Sequence, residues 1–359
     1  MKSISFLKRA AFLLLLVPFF NSCTNDNNSV ETPTVSTGLL VLNQGSYAGN
    51  NAELTYYDFT TNTATNNFFS SVNNRGLGDT GQDILKYGSK IYISVYGSSL
   101  IDVIDFKGTS KKQIVVKDAK GNAQSPRSLA SYNGKIYVTL FDGFVARIDT
   151  TTLASEAEVA VGPNPEGIAI TNGKIYVANS GGMNWPNYDK TVSVINLASF
   201  TETKKIDVVV NPGKLQADAY GDVYLISVGN YGSIPYTFQR INSTTDAVTT
   251  IPDITPYNFT ISGDKAYCYY YNYGTKEKKF MVYDVKNDVI LSQSFITDGT
   301  TIKTIPYSIN VNPANGDVYI GESDGKTTGS VNCFSADGKF KFSFPAGYQP
   351  TGIAFITNK

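Results

Sequence analysis

The sequence contains no histidine, so every catalytic mechanism that needs an imidazole side chain is excluded. Ser-His-Asp triads, Cys-His dyads and His-ligated zinc sites are excluded, because each needs an imidazole. Asp79 and Asp83 lie close together in the sequence, but no acid/base partner is identified for them, and no stretch has the acidic spacing of a calcium loop. We therefore expect a protein that is not an enzyme, with no metal or cofactor of its own. An enzyme that relies on a bound cofactor is the catalytic alternative.

The charge balance excludes two further classes of protein. The chain has 30 Lys and Arg residues against 30 Asp and Glu residues, a formal net charge of zero. Nucleic-acid-binding proteins carry a basic surplus that displaces counterions from phosphates, and polybasic proteins bind anionic membrane surfaces through a similar surplus. We therefore expect no nucleic-acid partner and no direct binding of the folded chain to a membrane.

Side chains suited to non-covalent binding are plentiful in segments rich in Gly, Asn and Pro. Tyr and Trp offer flat apolar faces, whereas Asn, Gln and a few charged residues offer hydrogen-bonding groups. Trp185, the only tryptophan, lies in such a segment. For several of these residues the alternative role is to fix a turn or to form a polar rim. The candidate ligand-binding residues are Asn43, Gln44, Tyr47, Gln82, Arg127, Asn164, Glu166, Trp185, Tyr188, Lys214, Tyr231, Tyr236, Tyr257, Tyr273, Tyr307 and Tyr348.

The elements that position these residues follow from a short repeated pattern, a tight turn followed by an apolar residue and a tyrosine. Pairs such as Asn-Gly at the turn accept positive φ and close a β-hairpin. The tyrosine of each copy is expected to pack between strands rather than to bind a ligand. The six copies contain Tyr92, Tyr137, Tyr176, Tyr224, Tyr267 and Tyr319.

Each repeat has four short strands, and no segment has a sustained helical period. Four antiparallel strands repeated around a chain are typical of a β-propeller. Residues 37–359 divided among seven units give about 46 residues each, within the range of such repeats. The unit formed by Leu39 to Phe69 lacks its innermost strand, and Gly352 to Ile356 matches that strand. We therefore predict an all-β, seven-bladed propeller, closed by a C-terminal strand that completes the first blade.

The predicted connections separate the two faces of the propeller. The turns from strand one to two and from three to four are short and share one face. The connections from strand two to three and from four to one share the opposite face, which should carry the binding surface. Arg127, Glu166 and Lys214 are expected to occupy one equivalent position beside the axis. The long connections are predicted at Asn43–Asn51, Asn179–Lys190, Gly229–Tyr236 and Tyr270–Lys279.

The N-terminal residues have the features of an export signal. Lys2, Lys8 and Arg9 precede an apolar run at 10–20 that is too short to span a bilayer. Cys23 follows, as in a bacterial lipoprotein signal, and is the predicted lipidation site. We therefore predict a signal peptide at 1–22, a flexible tether at 23–37 and one propeller domain at 38–359. The protein is expected to be exported and anchored to the outer membrane at the cell surface; the periplasmic face and an ordinary signal peptide are the alternatives.

Two further cysteines, Cys268 and Cys333, lie within strand-like runs. An exported compartment permits a disulfide between them. Both have Tyr, Val and Phe as neighbours, where a buried thiol behaves as a small apolar side chain. We predict that they are free thiols.

Several motifs resemble those of a known family of propellers. Asn-Gly-Lys-Ile-Tyr-Val and Val161-Gly-Pro-Asn-Pro-Glu-Gly-Ile168 are similar to the repeats of YncE-like, YVTN-type seven-bladed propellers. The segments at 38–45, 52–58 and 311–319 resemble the surface lipoprotein propellers of Bacteroidetes-type bacteria, a group that includes the cobalamin-capturing BtuG proteins. The resemblance covers residues 38–356.

This resemblance implies non-covalent capture of cobalamin for a TonB-dependent outer-membrane transporter. A corrin ring is a broad, flat disc fringed by amides, which Tyr and Trp faces and Asn and Gln side chains can hold. The alternative is a glycan- or protein-binding propeller that acts in adhesion or within an outer-membrane complex.

Overall fold

The computed structural model describes residues 36–357, which form seven four-stranded antiparallel sheets. The predicted seven-bladed propeller is therefore confirmed. Ser36 and Thr37, assigned to the tether from the sequence, belong to the first strand. The predicted signal peptide and Cys23 lie outside the described residues. Within the described range, no helix is long and apolar enough to cross a membrane.

The first four blades contain 16 of the strands. In each blade the strands are given from the innermost to the outermost. They are β28 (Pro350–Thr357), β1 (Ser36–Asn43), β2 (Glu53–Asp58) and β3 (Thr63–Thr65) in blade one; β4 (Gly81–Tyr87), β5 (Lys90–Val95), β6 (Leu100–Ile104) and β7 (Ser110–Ile114) in blade two; β8 (Pro126–Tyr132), β9 (Lys135–Leu140), β10 (Phe144–Asp149) and β11 (Ser155–Ala160) in blade three; and β12 (Pro165–Thr171), β13 (Lys174–Asn179), β14 (Thr191–Asn196) and β15 (Thr201–Asp207) in blade four.

The remaining three blades have the same architecture. They are β16 (Pro212–Ala217), β17 (Asp222–Ser227), β18 (Thr237–Asn242) and β19 (Val248–Ile251) in blade five; β20 (Asn258–Ser262), β21 (Lys265–Tyr271), β22 (Lys278–Asp284) and β23 (Val289–Ser292) in blade six; and β24 (Ile305–Val311), β25 (Val318–Ser323), β26 (Ser330–Phe334) and β27 (Phe340–Pro345) in blade seven.

The two ends of the propeller close the ring within blade one, as predicted. β28 pairs antiparallel with β1, with Leu40 opposite Ala354 and Val41 opposite Ile353. The innermost strands of neighbouring blades contact each other all the way round, from β28 through β4 and back to β28. Closure gives β1 a paired neighbour on each side, β28 and β2, so that β1 is not an edge strand.

The hairpin turns between first and second strands have the geometry that their sequences predict. Asn133 and Gly134 have φ values of 44° and 78°, and Asn172 and Gly173 have values of 46° and 70°. Two successive residues at positive φ define a turn whose twist matches that of the strands, which explains the recurrent Asn-Gly pairs. These turns mark the short-turn face of the propeller.

The repeated tyrosines are packing residues that join neighbouring blades. Tyr176 and Tyr224 are fully buried. The Tyr224 hydroxyl donates a hydrogen bond of 3.0 Å to the Val285 carbonyl oxygen of the next blade. Similarly, the Tyr176 hydroxyl lies 3.3 Å from Oδ1 of Asp246. Tyr176 and Tyr224 therefore both fill the space between two sheets and tie one blade to a turn of the following one.

A single-atom deletion tests this role. The Tyr224→Phe variant is expected to lower the free energy of unfolding by about 1 kcal/mol, because a buried carbonyl oxygen loses its donor. Chemical denaturation measures this loss. Tyr92→Phe is the matched control, since the buried Tyr92 hydroxyl has no hydrogen-bond partner among the described residues, and removing it should not destabilise the protein. Equal losses in both variants would contradict the proposed role.

The structure corrects the sequence prediction at one segment. The sequence prediction ends the first unit at Phe69 and includes no helix, but the last strand of that blade, β3, ends at Thr65. A short helix, α1 (Phe68–Asn73), follows, and the residues at both of its ends have φ near 53°. Phe69 is buried, and Phe68 stacks on Tyr56 with ring centroids 5.0 Å apart. Two anchoring aromatic side chains thus stabilise a helix too short to produce a periodic pattern.

The two cysteines of the propeller are free thiols, as predicted. Cys268 and Cys333 are both completely buried and lie in different sheets. Burial raises the pKa of the Cys333 thiol to about 12 and that of Cys268 also rises. Both thiols are therefore protonated at neutral pH and act as small core side chains.

Candidate functional site

The loop-rich face, formed by the connections from second to third and from fourth to first strands, carries a group of exposed aromatic side chains. Tyr47, Trp185, Tyr231 and Tyr273 belong to the loops of blades one, four, five and six, and are 79%, 73%, 71% and 58% exposed. Large aromatic side chains are costly to leave in water, so this face is the candidate binding surface. These four residues are called the aromatic rim below.

A cluster of packed tyrosines lies beside the rim at the junction of blades five and six. Tyr236 and Tyr257 stack with ring centroids 4.2 Å apart, and Tyr257 contacts Tyr270 and Tyr273 edge-on at 5.8 and 6.0 Å. Burial, with smaller effects of neighbouring tyrosines, raises the pKa values of Tyr236 and Tyr257. At neutral pH these phenols are therefore uncharged and can both donate and accept hydrogen bonds.

The loops that carry the rim are held in place by their own side chains. Oδ1 of Asn230 accepts hydrogen bonds from the backbone N–H groups of Gly232 and Ile234 at 3.0 and 2.8 Å. Oδ1 of Asn272 accepts from Gly274 and Thr275 at 2.9 and 3.0 Å. Such turns fix the backbone locally. The aromatic side chains are therefore presented on preformed loops, which lowers the ordering cost of binding.

Two candidate residues are used to hold loops together. Asn43 is buried; its Nδ2 donates to Oγ1 of Thr55 at 3.0 Å, and its Oδ1 accepts from the N–H of Gly347 at 2.9 Å. Asn164 has a φ of 49°, and its side chain bonds the backbone of Phe141 and Met183. Their amide groups support the face from beneath.

Four other candidates lie in or beside the loops of the same face. The Tyr307 hydroxyl donates to Oε1 of Gln44 at 2.5 Å, which joins blade seven to blade one. Tyr348 donates to the carbonyl oxygen of Gly325 at 2.6 Å. Tyr188 contacts Tyr231 edge-on, with centroids 6.0 Å apart, and so extends the rim. These residues are partly buried, in contrast to the residues of the aromatic rim.

At the axis, Arg127 and Glu166 form a bidentate ion pair. Arg127 Nε lies 2.9 Å from Glu166 Oε2, and its terminal nitrogens bond Glu166 at 2.6 and 2.8 Å and Gln82 Oε1 at 2.9 Å. The guanidinium also lies over the rings of Tyr96 and Phe141 at 4.9 and 5.0 Å. Burial raises the pKa of Glu166 above its usual value, and Arg127 opposes this effect. The pair is thus held by both charge and packing.

Lys214 does not occupy the position predicted for it. Arg127 and Glu166 directly follow the prolines that begin β8 and β12, whereas Lys214 is the second residue after Pro212. It therefore lies one residue further along its strand than the ion pair. Its Nζ donates to Oδ1 of Asn258 at 2.7 Å instead of joining Arg127 and Glu166.

Sequence reasoning missed several residues of this face. Met183 and Ile234 are 74% and 37% exposed, and both belong to loops that were recognised. Tyr96 and Phe141 directly follow second strands, and they stack on Arg127. Their position directly after a second strand is the sequence signal that could have identified them.

The loop predicted at Tyr270–Lys279 is shorter in the structure. Tyr270 belongs to β21, and the loop comprises only residues 272–277.

The fold and this face define a class of protein: a seven-bladed β-propeller with an aromatic, loop-rich face and an ion-paired axis. Among the described residues, no group of three or more Cys, Asp or Glu side chains could hold a metal ion. The chain belongs to the family described as a domain of unknown function, DUF5074, whose model matches residues 37–348.

Solved structures agree with the fold. Hydrazine synthase of Kuenenia stuttgartiensis is similar over 70% of this chain and 74% of its own, with a TM-score of 0.56 and 17% identity. The dihydro-heme d1 dehydrogenase NirN is similar over 88% of this chain and 68% of its own, with a TM-score of 0.57 and 12% identity. The computationally designed protein Ika8 is similar over 87% and 88%, with a TM-score of 0.56 and 11% identity. No curated protein matches the chain. At these identities the likeness concerns the fold alone.

Proposed function

We propose that the protein is a non-catalytic binding protein of the cell envelope that holds its ligand on the loop-rich face. The observation that carries the proposal is the aromatic rim, formed by Tyr47, Trp185, Tyr231 and Tyr273, all more than half exposed on loops of one face. Flat apolar side chains on preformed loops suit a ligand that is itself flat or has apolar faces.

Cobalamin is the first ligand to test. The motifs that resemble YncE-like propellers and the cobalamin-capturing surface lipoproteins support it. The size of the face also favours a large ligand, because the rim draws on blades one, four, five and six. The rings would cover the corrin plane, and the neutral tyrosine hydroxyls would bond its amides.

A glycan or a protein is the second candidate. The exposed Trp185 ring favours it, since aromatic rings stack on the apolar faces of sugars and anchor protein interfaces. In both cases we propose that the chain is lipidated at Cys23, held at the outer membrane on the cell surface, and works with a TonB-dependent transporter or another outer-membrane complex.

Titration of the purified protein with cobalamin, followed by calorimetry, tests the proposal. We expect saturable binding at micromolar concentrations, with the affinity lowered roughly three- to tenfold by each of Trp185→Ala, Tyr231→Ala and Tyr273→Ala. The matched control is Tyr132→Ala, because Tyr132 is 50% exposed but lies at a turn of the short-turn face. It should not change the affinity.

Two other outcomes are informative. Glycan or protein binding that is weakened by the same three variants, without cobalamin binding, would favour the second candidate. Ligand binding that is unaffected by all three variants would contradict the assignment of the site to the loop-rich face.

A further inference from the structure

A polar chamber on the propeller axis has no part in the function proposed above. Its volume is about 260 Å³, slightly below the roughly 300–1,000 Å³ of drug-sized ligand pockets. It lies beside the Arg127–Glu166 pair, among the first residues of the innermost strands. The side chains that line it include Gln82, Asp83, Ser128, Glu166, Lys214 and Asn258.

One wall of the chamber carries the Lys214 ammonium, which has unused hydrogen-bond donors. The Lys214 ammonium donates one hydrogen bond, to Asn258 Oδ1 at 2.7 Å, and lies 5.7 Å from the centre of the Phe259 ring. An ammonium group carries three donors. Among the described residues no acceptor is found for the other two. Lys214 is exposed, although residues of the inner strands line the chamber beside it.

Another wall supplies an anion that is fixed in orientation. Oδ1 of Asp83 accepts a hydrogen bond from the N–H of Ile84, and Oδ2 accepts one from the N–H of Leu129, both at 2.8 Å. Each carboxylate oxygen can accept a further bond. The Asp83 and Lys214 charges influence each other, yet no ion pair within 4.0 Å joins them. A gap therefore separates two opposite charges that face one cavity.

Both charges are incompletely stabilised by the protein. Burial lowers the pKa of Lys214 to about 8, although Asp83 opposes this effect. Burial also raises the pKa of Asp83, against the effect of its two backbone hydrogen bonds. A charged group that faces a confined cavity has lost part of its hydration and is stabilised by an opposite charge nearby. Arg127 and Glu166 neutralise each other. Lys214 and Asp83 are therefore the two charged groups of the chamber that an anionic and a cationic group of a ligand could neutralise.

We propose that the axial chamber binds a small zwitterion of amino-acid size, with its carboxylate on the Lys214 ammonium and its ammonium on the Asp83 carboxylate. The site is distinct from the aromatic rim and does not depend on the ligand held there.

Calorimetry of the purified protein with each of the common amino acids tests the proposal. At least one amino acid should bind saturably with a stoichiometry of one. Acetate, methylammonium and acetamide each carry only part of the pattern and should bind at least tenfold more weakly. Failure of every amino acid to bind at millimolar concentration would overturn the proposal, as would binding of acetate or acetamide as tight as that of the best amino acid.

Variants assign the binding to the chamber. Asp83→Asn and Lys214→Met should each lower the affinity at least tenfold, whereas Lys190→Met, at an exposed loop position, and Trp185→Ala should leave it unchanged. Wild-type affinity in either chamber variant would overturn the proposal.

A measurement on the unaltered protein covers the case in which a chamber variant does not fold. Saturating amino acid should slow acylation of Lys214 by an amine-reactive reagent at least tenfold, as read by mass spectrometry, without protecting Lys190. Equal labelling of Lys214 with and without the amino acid would overturn the proposal.

Discussion

Deletion of residues 350–359 is expected to abolish the cooperatively folded monomer. β28 pairs with β1 along its whole length, so the deletion exposes the edge of a buried strand. It also removes Ile353 and Phe355, which are buried against blade seven, where Phe355 contacts Tyr319 at 5.3 Å. An exposed apolar edge strand invites pairing with other chains. We expect aggregation in size-exclusion chromatography and no cooperative thermal transition.

Two controls separate ring closure from a general effect of truncation. Deletion of only residues 358–359, beyond the last residue of β28, should leave the unfolding temperature unchanged. A peptide with the sequence of residues 350–359 should partly restore the folded monomer when added in excess to the truncated chain. A truncated chain that remains monomeric, with an unchanged unfolding temperature, would contradict the role of β28.

The Arg127→Ala variant is expected to lose about 2 kcal/mol of unfolding free energy at pH 7, since it leaves the partly buried Glu166 carboxylate without its partner. The matched control is Arg147→Ala. Arg147 also pairs with a glutamate, Glu156, but that pair lies at the surface, and its loss should cost about 1 kcal/mol or less. Denaturant unfolding of both variants gives the comparison.

The pH dependence of this loss has a definite sign. Burial raises the pKa of Glu166 in the folded state above its value of 4.5 in the unfolded chain, and Arg127 limits the rise. Without Arg127 the rise is larger, so stability falls as the pH passes from the unfolded to the folded pKa. The deficit of Arg127→Ala should therefore be larger at pH 7 than at pH 5.

A double-mutant cycle completes the test. Arg127→Ala combined with Glu166→Gln should be more stable than Arg127→Ala alone at pH 7, because no charge is then left unpaired. A deficit that is equal at both pH values, or a double variant that is less stable than the single one, would contradict the account of the pair.

The propeller could be predicted from the sequence because its information is repeated and local. The structure confirms three such features: the Asn-Gly turns, the buried tyrosines and a final strand equivalent to residues 165–170. Each can be recognised from a few neighbouring residues. The helix α1 could not be predicted in the same way. It is a single turn or two stabilised by Phe68 and Phe69 against tertiary neighbours, and tertiary contacts leave no periodic trace in so short a segment.

The axial side chains escaped prediction for a different reason. The inner strands have a register shift after their first proline, as between Pro126 and Leu129 and between Pro212 and Leu215. At such a bulge two residues oppose one, so a difference of one position changes what a side chain faces. Counting from the proline would have separated Lys214 from Arg127. The gap between Lys214 and Asp83 depends on distances across the ring, which no local pattern encodes.

The chain enters the propeller on the short-turn face. β1 runs from the short-turn face towards the loop-rich face, and its first residue, Ser36, bonds Asn312 at 2.9 Å in a turn between first and second strands. Any segment upstream of Ser36 therefore joins the propeller on the short-turn face, opposite the loops that carry the aromatic rim. If the chain is lipidated at Cys23 as proposed, the connection to the anchor starts on the face opposite the tryptophan and tyrosine loops, so that anchoring and ligand binding use different faces of the propeller.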